Sequence, residues 1–178
     1  MLILGVDPGL RATGYALMQG SPQGVRLIEF GTIRTDDAAG LPARLHTIHF
    51  ELRALLDRFR PVLVAVEDLY AAQRYPRTAI LMGHVRGVVC LAAAELNIEV
   101  SALPPAAVKQ AIAGFGGASK SQIQLAVQRL LRRPGPFDTH IADAVAMALT
   151  ALSRSGVPLQ ATDQIEPAVR LVTPEVAR

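Results

Sequence analysis

The sequence predicts an α/β domain over residues 1–155, followed by a C-terminal tail, 156–178, and three observations predict it. Apolar runs of strand length, separated by Pro and Gly turns, fill the first third of the chain. The apolar period then lengthens to three and four. A continuous apolar run, Val62-Leu63-Val64-Ala65-Val66, breaks that helical pattern. Strands and helices mixed in this way pack as a sheet covered by helices. With 178 residues and 51% hydrophobic composition, the chain has apolar surface for one core and little length for a second.

Residues 2–6 form a first strand that carries Asp7 into the Pro8-Gly9 turn. Residues 13–18 form the second strand, and 25–33 the third, after the loop Gly20-Ser21-Pro22-Gln23-Gly24. Between Pro42 and Arg60, Leu45, Ile48, Leu52, Leu55, Leu56 and Phe59 mark an amphipathic helix that Pro61 stops. The run 62–66 has no polar face, so it reads as a central strand, and Glu67 stands at its exit. Over residues 77–96 apolar side chains occupy most of the helical circumference, which asks for burial by more than one sheet face and so suggests a partner chain. Gly83 and Gly87 on that helix either admit another helix closely or are tolerated interior glycines.

Residues 98–101 form a short strand, and Pro104-Pro105 opens a short helix that ends at Gly114. Ser119 and Gln122 form a capping box ahead of Ile123, Val127, Leu130 and Leu131. Asp138 caps the last helix, which turns Ile141, Val145, Leu149 and Leu152 inward. Beyond Ser153 the pattern fades.

The formal charge is +3, carried by sixteen arginines and only two lysines, Lys109 and Lys120. Arginine grips phosphate with a planar fork, so this balance permits a nucleic-acid partner without requiring one. The single cysteine, Cys90, has no internal disulfide partner, and the first residues lack a basic-then-apolar leader. No apolar run approaches the roughly 20 residues of a membrane helix. A cytoplasmic chain with no membrane partner is expected.

Three acids stand where chemistry would use them. Asp7 and Glu67 end two buried strands, and in open α/β sheets ligands gather outside the strands' carboxyl ends. His140 and Asp143, three apart on the last helix, share a face near its N-terminal end. Taken singly, Asp7 is also explained as a turn residue and Glu67 as a solvated loop acid. Likewise His140 and Asp143 are explained as solvated helix residues. Together, Asp7, Glu67 and Asp143 suit hard divalent cations, because clustered carboxylates repel one another unless cations neutralise them. Two such ions can activate water and steady the leaving oxygen at a phosphodiester.

In order along residues 2–152, several segments resemble the RuvC family of Holliday-junction resolvases: Gly5-Val6-Asp7-Pro8-Gly9, Thr13-Gly14-Tyr15, Val66-Glu67 before Tyr70, the Gly83/Gly87 helix, Ser119-Lys120-Ser121-Gln122 and Ala142-Asp143-Ala144. The resemblance implies a ribonuclease H-like fold, a central mixed five-stranded sheet flanked by helices on both faces. It implies a structure-specific endonuclease that resolves four-way junctions in DNA recombination and repair by paired, metal-dependent phosphodiester hydrolysis on symmetric strands. Asp7, Glu67, His140 and Asp143 would be the catalytic, metal-binding residues, holding two Mg²⁺ or Mn²⁺ ions per subunit. His140 stands where many relatives have Asp; its imidazole removes a negative charge and adds a nitrogen donor, which favours Mn²⁺.

Tyr70, Arg74, Arg77, Lys109 and Lys120 would contact DNA, Tyr70 by stacking on a base near the crossover. A homodimer and the branch-migration proteins RuvA and RuvB are the implied partners. Two other readings share parts of this pattern. An actin- or sugar-kinase-like ATP-binding domain begins with a similar strand and uses glycine pairs such as Gly116-Gly117 near adenosine, but generally needs two domains. A non-catalytic nucleic-acid-binding module would find three carboxylates a liability beside phosphate.

Overall fold

The computed structural model describes residues 1–68, 76–133 and 135–162. Five strands, β1 (Leu2–Asp7), β2 (Ala12–Ser21), β3 (Gly24–Arg34), β4 (Leu63–Glu67) and β5 (Glu99–Leu103), form one sheet in the order β3-β2-β1-β4-β5. β1, β2 and β3 make an antiparallel meander, while β4 joins β1 and β5 in parallel, so the sheet is mixed, as expected. Helices α1 (Leu41–Phe59) and α2 (Pro76–Ala94) cover one face, and α3 (Pro105–Ala113), α4 (Lys120–Leu130) and α5 (Thr139–Arg154) cover the other.

The period-two pattern sorts side chains between the two cores. Leu4, Val6, Leu17 and Val64 pack against α1 and α2, and Ile3, Ala16, Met18 and Ala65 pack against α5. The β2–β3 connection is tighter than the five-residue loop expected, because pairing continues through Gly20↔Val25 to Ser21↔Gly24. Gly24 supplies the positive φ of 140° at that corner. The capping box forms as written, with the Gln122 amide N–H donating to Ser119 Oγ and the Ser119 N–H to Gln122 Oε1.

Helix α2 differs from expectation in one way. Its length and a mean hydropathy of 1.3 over Arg77–Ala94 do reach the range of a membrane helix, because the aliphatic residues, the alanines and Cys90 outweigh its few polar residues. Only one stripe, Val85, Val89, Ala92 and Ala93, is packed into the core. The opposite side leaves Ile80 61% and Leu91 54% exposed. After α5 the chain runs back along β3, where the Val25 N–H donates to Gln160 O at 2.9 Å and the Thr162 N–H to Val25 O at 3.1 Å. Residues 163–178 lie outside the described residues.

The feature that positions everything else is how closely α5 lies on β1 and β2. A Cβ on Gly5 would sit 2.0 Å from Ala144 O, and one on Gly14 would sit 2.2 Å from His140 O. Both clashes are with helix backbone, which cannot rotate away. Gly14→Ala should therefore destabilise the protein at the upper end of the roughly 1–3 kcal/mol typical of overpacking. Urea unfolding measures this, and an unchanged midpoint would show that the helix has slack.

Candidate active site

Asp7 and Glu67 leave the same end of the sheet on neighbouring parallel strands, since Val6 pairs with Val66. The loop that follows Asp7 is tied down twice: Thr13 Oγ1 donates to Gly9 O at 2.8 Å, and Thr35 Oγ1 donates to Leu10 O at 2.6 Å. Helix α5 starts over this loop. Asp138 caps it, accepting from the His140 N–H at 3.0 Å, and the bare Cα of Gly14 admits the His140 backbone. The spacing of three then places Asp143 one turn further along the same face. The result is a cavity of about 650 Å³ whose polar wall is Asp7, Glu67, Lys109, Lys120, His140 and Asp143. Leu81, Met82 and Val108 form part of an apolar wall.

Two contacts organise the polar wall. His140 Nδ1 lies 2.7 Å from Asp7 Oδ2, and Lys120 Nζ lies 2.7 Å from Asp143 Oδ2. Burial, reinforced by the charge of Asp143, raises the Asp7 pKa above the ordinary aspartate value, against the opposing hydrogen bond from His140. Glu67 is raised too, by burial first and then by Asp7 and Asp143, with Lys120 and Lys109 opposing. For Lys120, burial alone would lower the pKa, but the hydrogen bond to Asp143 and the three nearby carboxylates outweigh it and hold the ammonium charged.

Among the described residues, no group of three or more His, Cys, Asp or Glu side chains is drawn together into a ready-made metal cage. The four donors surround one cavity while Lys120 and His140 engage two of the carboxylates. Their chemistry still fits a divalent cation. Oxygen donors dominate, one imidazole joins them, and both strand-end carboxylates are short of positive charge.

Lys109 and Lys120 both line this cavity, and Arg77 lies exposed in the first turn of α2. Tyr70 and Arg74 lie outside the described residues. The Lys120–Asp143 pair and the Asp7–His140 contact were invisible in the sequence, since they join residues 23 and 133 positions apart through tertiary packing alone. Leu81, Met82 and Val108 gave no signal because their spacing is that of ordinary core residues. Thr13, fully buried inside an apolar strand, holds this turn from within.

A raised carboxylate pKa means that the folded state binds the proton more tightly than the unfolded chain, so ionised Glu67 costs stability above its folded pKa. In metal-free buffer at pH 7, Glu67→Gln should raise Tm by about 2–4 °C, the shift that about 1 kcal/mol gives in a domain of this size. The advantage should fade as pH falls through the folded-state pKa of Glu67, and a lower Tm for the variant at pH 7 would contradict the electrostatic account.

Comparison with known proteins places the chain in a family. The family described as "Crossover junction endodeoxyribonuclease RuvC" matches residues 3–151. A protein of that name from Rhodopirellula baltica is 45% identical over 150 residues, covering 83% of this chain and 83% of its own length. The one from Syntrophomonas wolfei is 41% identical over 155 residues, covering 85% and 88%. Among solved structures, "T. thermophilus RuvC in complex with Holliday junction substrate" superposes with a TM-score of 0.77 at 34% identity, covering 88% of this chain and 96% of that one. The matched span runs from β1 through most of α5 and so includes every element that carries an acid of the cavity. This chain belongs to the RuvC family of crossover junction endodeoxyribonucleases.

Proposed function

We propose that this protein is a structure-specific DNA endonuclease that resolves four-way junctions by paired, metal-dependent hydrolysis of phosphodiesters on symmetric strands. The observation that carries the reading is the meeting of Asp7, Glu67, His140 and Asp143 around one cavity with Lys109 and Lys120 on its wall. Acids alone would repel a phosphate backbone. The lysines give that backbone a place to settle, and a cation among the acids cancels the repulsion. The likeness to a relative solved with a Holliday junction supports the substrate. Gly116 and Gly117, the pair an ATP-binding domain would use, are not among the residues lining this cavity.

Asp7, Glu67, His140 and Asp143 would hold the metal, in our reading two Mg²⁺ or Mn²⁺ ions. When bound, such ions supply Lewis acidity and charge neutralisation at the scissile phosphate. His140 is held beside Asp7. The contact of Nδ1 with Asp7 Oδ2 holds the ring at the wall of the cavity, and an ion shared by the two residues would replace that contact. A neutral nitrogen donor in place of a carboxylate favours Mn²⁺. Lys120 holds Asp143 in place and keeps a positive charge beside the incoming phosphate.

The open side of α2, with Ile80, Leu91 and an unobstructed Gly87, suits a second copy of the chain, and a two-fold homodimer would present matching sites to the symmetric strands of a junction. Tyr70, Arg74 and Arg77 are proposed as further DNA contacts, and RuvA and RuvB as partners by family resemblance. The proposed workplace is the cytoplasm.

A synthetic immobile junction and a linear duplex, each with and without Mn²⁺, test the activity. Wild-type protein should nick the junction symmetrically and leave the duplex intact. Asp7→Asn and Asp143→Asn should each lose roughly 10²–10³-fold or more in cleavage, the scale of losing one electrostatic stabiliser of a transition state. Junction binding should persist, and wild-type rates from either variant would defeat the assignment. In the same assay His140→Asp should raise the Mg²⁺-supported rate relative to the Mn²⁺-supported one, and an unchanged ratio would remove His140 from the ligand set.

A further inference from the structure

The Thr13-Gly14-Tyr15 segment points both ways through the sheet. Gly14 serves α5, while Tyr15 faces the α1 side and has no part in the cavity described above. Tyr15 pairs across the strands with Gly31, whose missing side chain makes room for the ring: a Cβ there would lie 2.6 Å from the Tyr15 hydroxyl. Next to it, the β2–β3 register slips. Leu17 pairs with Glu29 but Met18 pairs with Leu27, so Ile28 is an extra residue, a β-bulge. Without the bulge Glu29 would share the face of Val25 and Leu27. With it, the carboxylate turns under α1, where Glu29 is 8% exposed and its Oε1 has no hydrogen-bond partner among the described residues.

Glu29 lines a separate cavity of about 170 Å³ together with Tyr15, Glu51 and Arg58, and with Ile33, Ala54 and Leu55 as an apolar lining. Arg58 places its guanidinium 4.6 Å from the Phe59 ring centroid and makes no ion pair with either glutamate within 4.0 Å. The cavity carries two acids against one base. Burial and the charges of Glu29 and Glu51 push the Tyr15 hydroxyl up to about 12, with Arg58 opposing, so the phenol stays protonated as a neutral wall. A buried carboxylate oxygen without a partner is costly, and bulges often re-aim a side chain for use.

We propose that this cavity binds a compact organic cation, an alkylammonium or alkylguanidinium ion, with Glu29 as the buried counter-charge, Glu51 as a second acid and Ile33 and Leu55 against the alkyl stem. The mixed lining decides the class: a bare metal ion would gain nothing from the apolar side, whereas an alkyl cation uses both. The site lies apart from the nuclease cavity, and the two share no lining residue.

Isothermal titration of the whole chain with propylguanidinium and with putrescine tests this, with MgCl₂ alone as a separate arm. Saturable one-to-one binding of at least one organic cation should weaken at least about 10-fold in Glu29→Gln, which keeps the side chain's shape and removes its charge. The same loss should follow Ala54→Leu, which narrows the mouth from the exposed side of α1 and leaves the buried strand untouched. No saturable binding, equal binding by both variants, or Glu29-dependent binding of Mg²⁺ in place of the organic cations would overturn the proposal.

Discussion

Everything at the site depends on one close approach, the backbone of α5 lying directly on β1 and β2. Gly5 and Gly14 make it possible from the sheet side, and Ala142, Ala144 and Ala148 from the helix side. Such packing leaves no side-chain layer to absorb error, so the N-terminal turn of α5 is fixed against the ends of β1 and β4. His140 meets Asp7 because of this contact, and Asp143 follows from helical geometry. The ten buried residues between Ala142 and Leu152 anchor the rest of the helix.

The fold brings together charges that work against its own stability. Asp7 and Glu67 are desolvated and repel each other and Asp143, and both have raised pKa values in consequence. Two protein groups ease part of that cost, the His140 ring at Asp7 and the Lys120 ammonium at Asp143. Neither reaches Glu67 within hydrogen-bonding distance among the contacts the structure forms. Stability is thus given up for a concentration of negative charge that a divalent cation at the proposed site would relieve.

Much of this was legible in the sequence. The strands, the Pro61 stop, the Ser119 capping box and the Asp138 cap follow local rules, and local rules held in each place. The strand-end positions of Asp7 and Glu67 and the shared face of His140 and Asp143 were also readable, because strand and helix periods alone decide them. What joins distant segments was not. The Lys120–Asp143 pair depends on where α4 docks beside α5, and the inward turn of Glu29 depends on a register slip that alternation alone hides. Helix α2, apolar on most sides, suggested cover from a partner chain; this chain itself covers one stripe and leaves Ile80 and Leu91 open.

The central claim is that Asp7, Glu67, His140 and Asp143 together form one centre for divalent ions. Diffraction from crystals soaked in Mn²⁺, recorded at a wavelength where manganese scatters anomalously, tests it most directly. The account predicts anomalous density in the cavity at coordination distance from Asp7, with a ring nitrogen of His140, Asp143 or Glu67 completing the contacts, and with His140 and Lys120 drawn away from the carboxylates they now engage. An empty cavity at saturating Mn²⁺, or density held by residues other than these four, would contradict it.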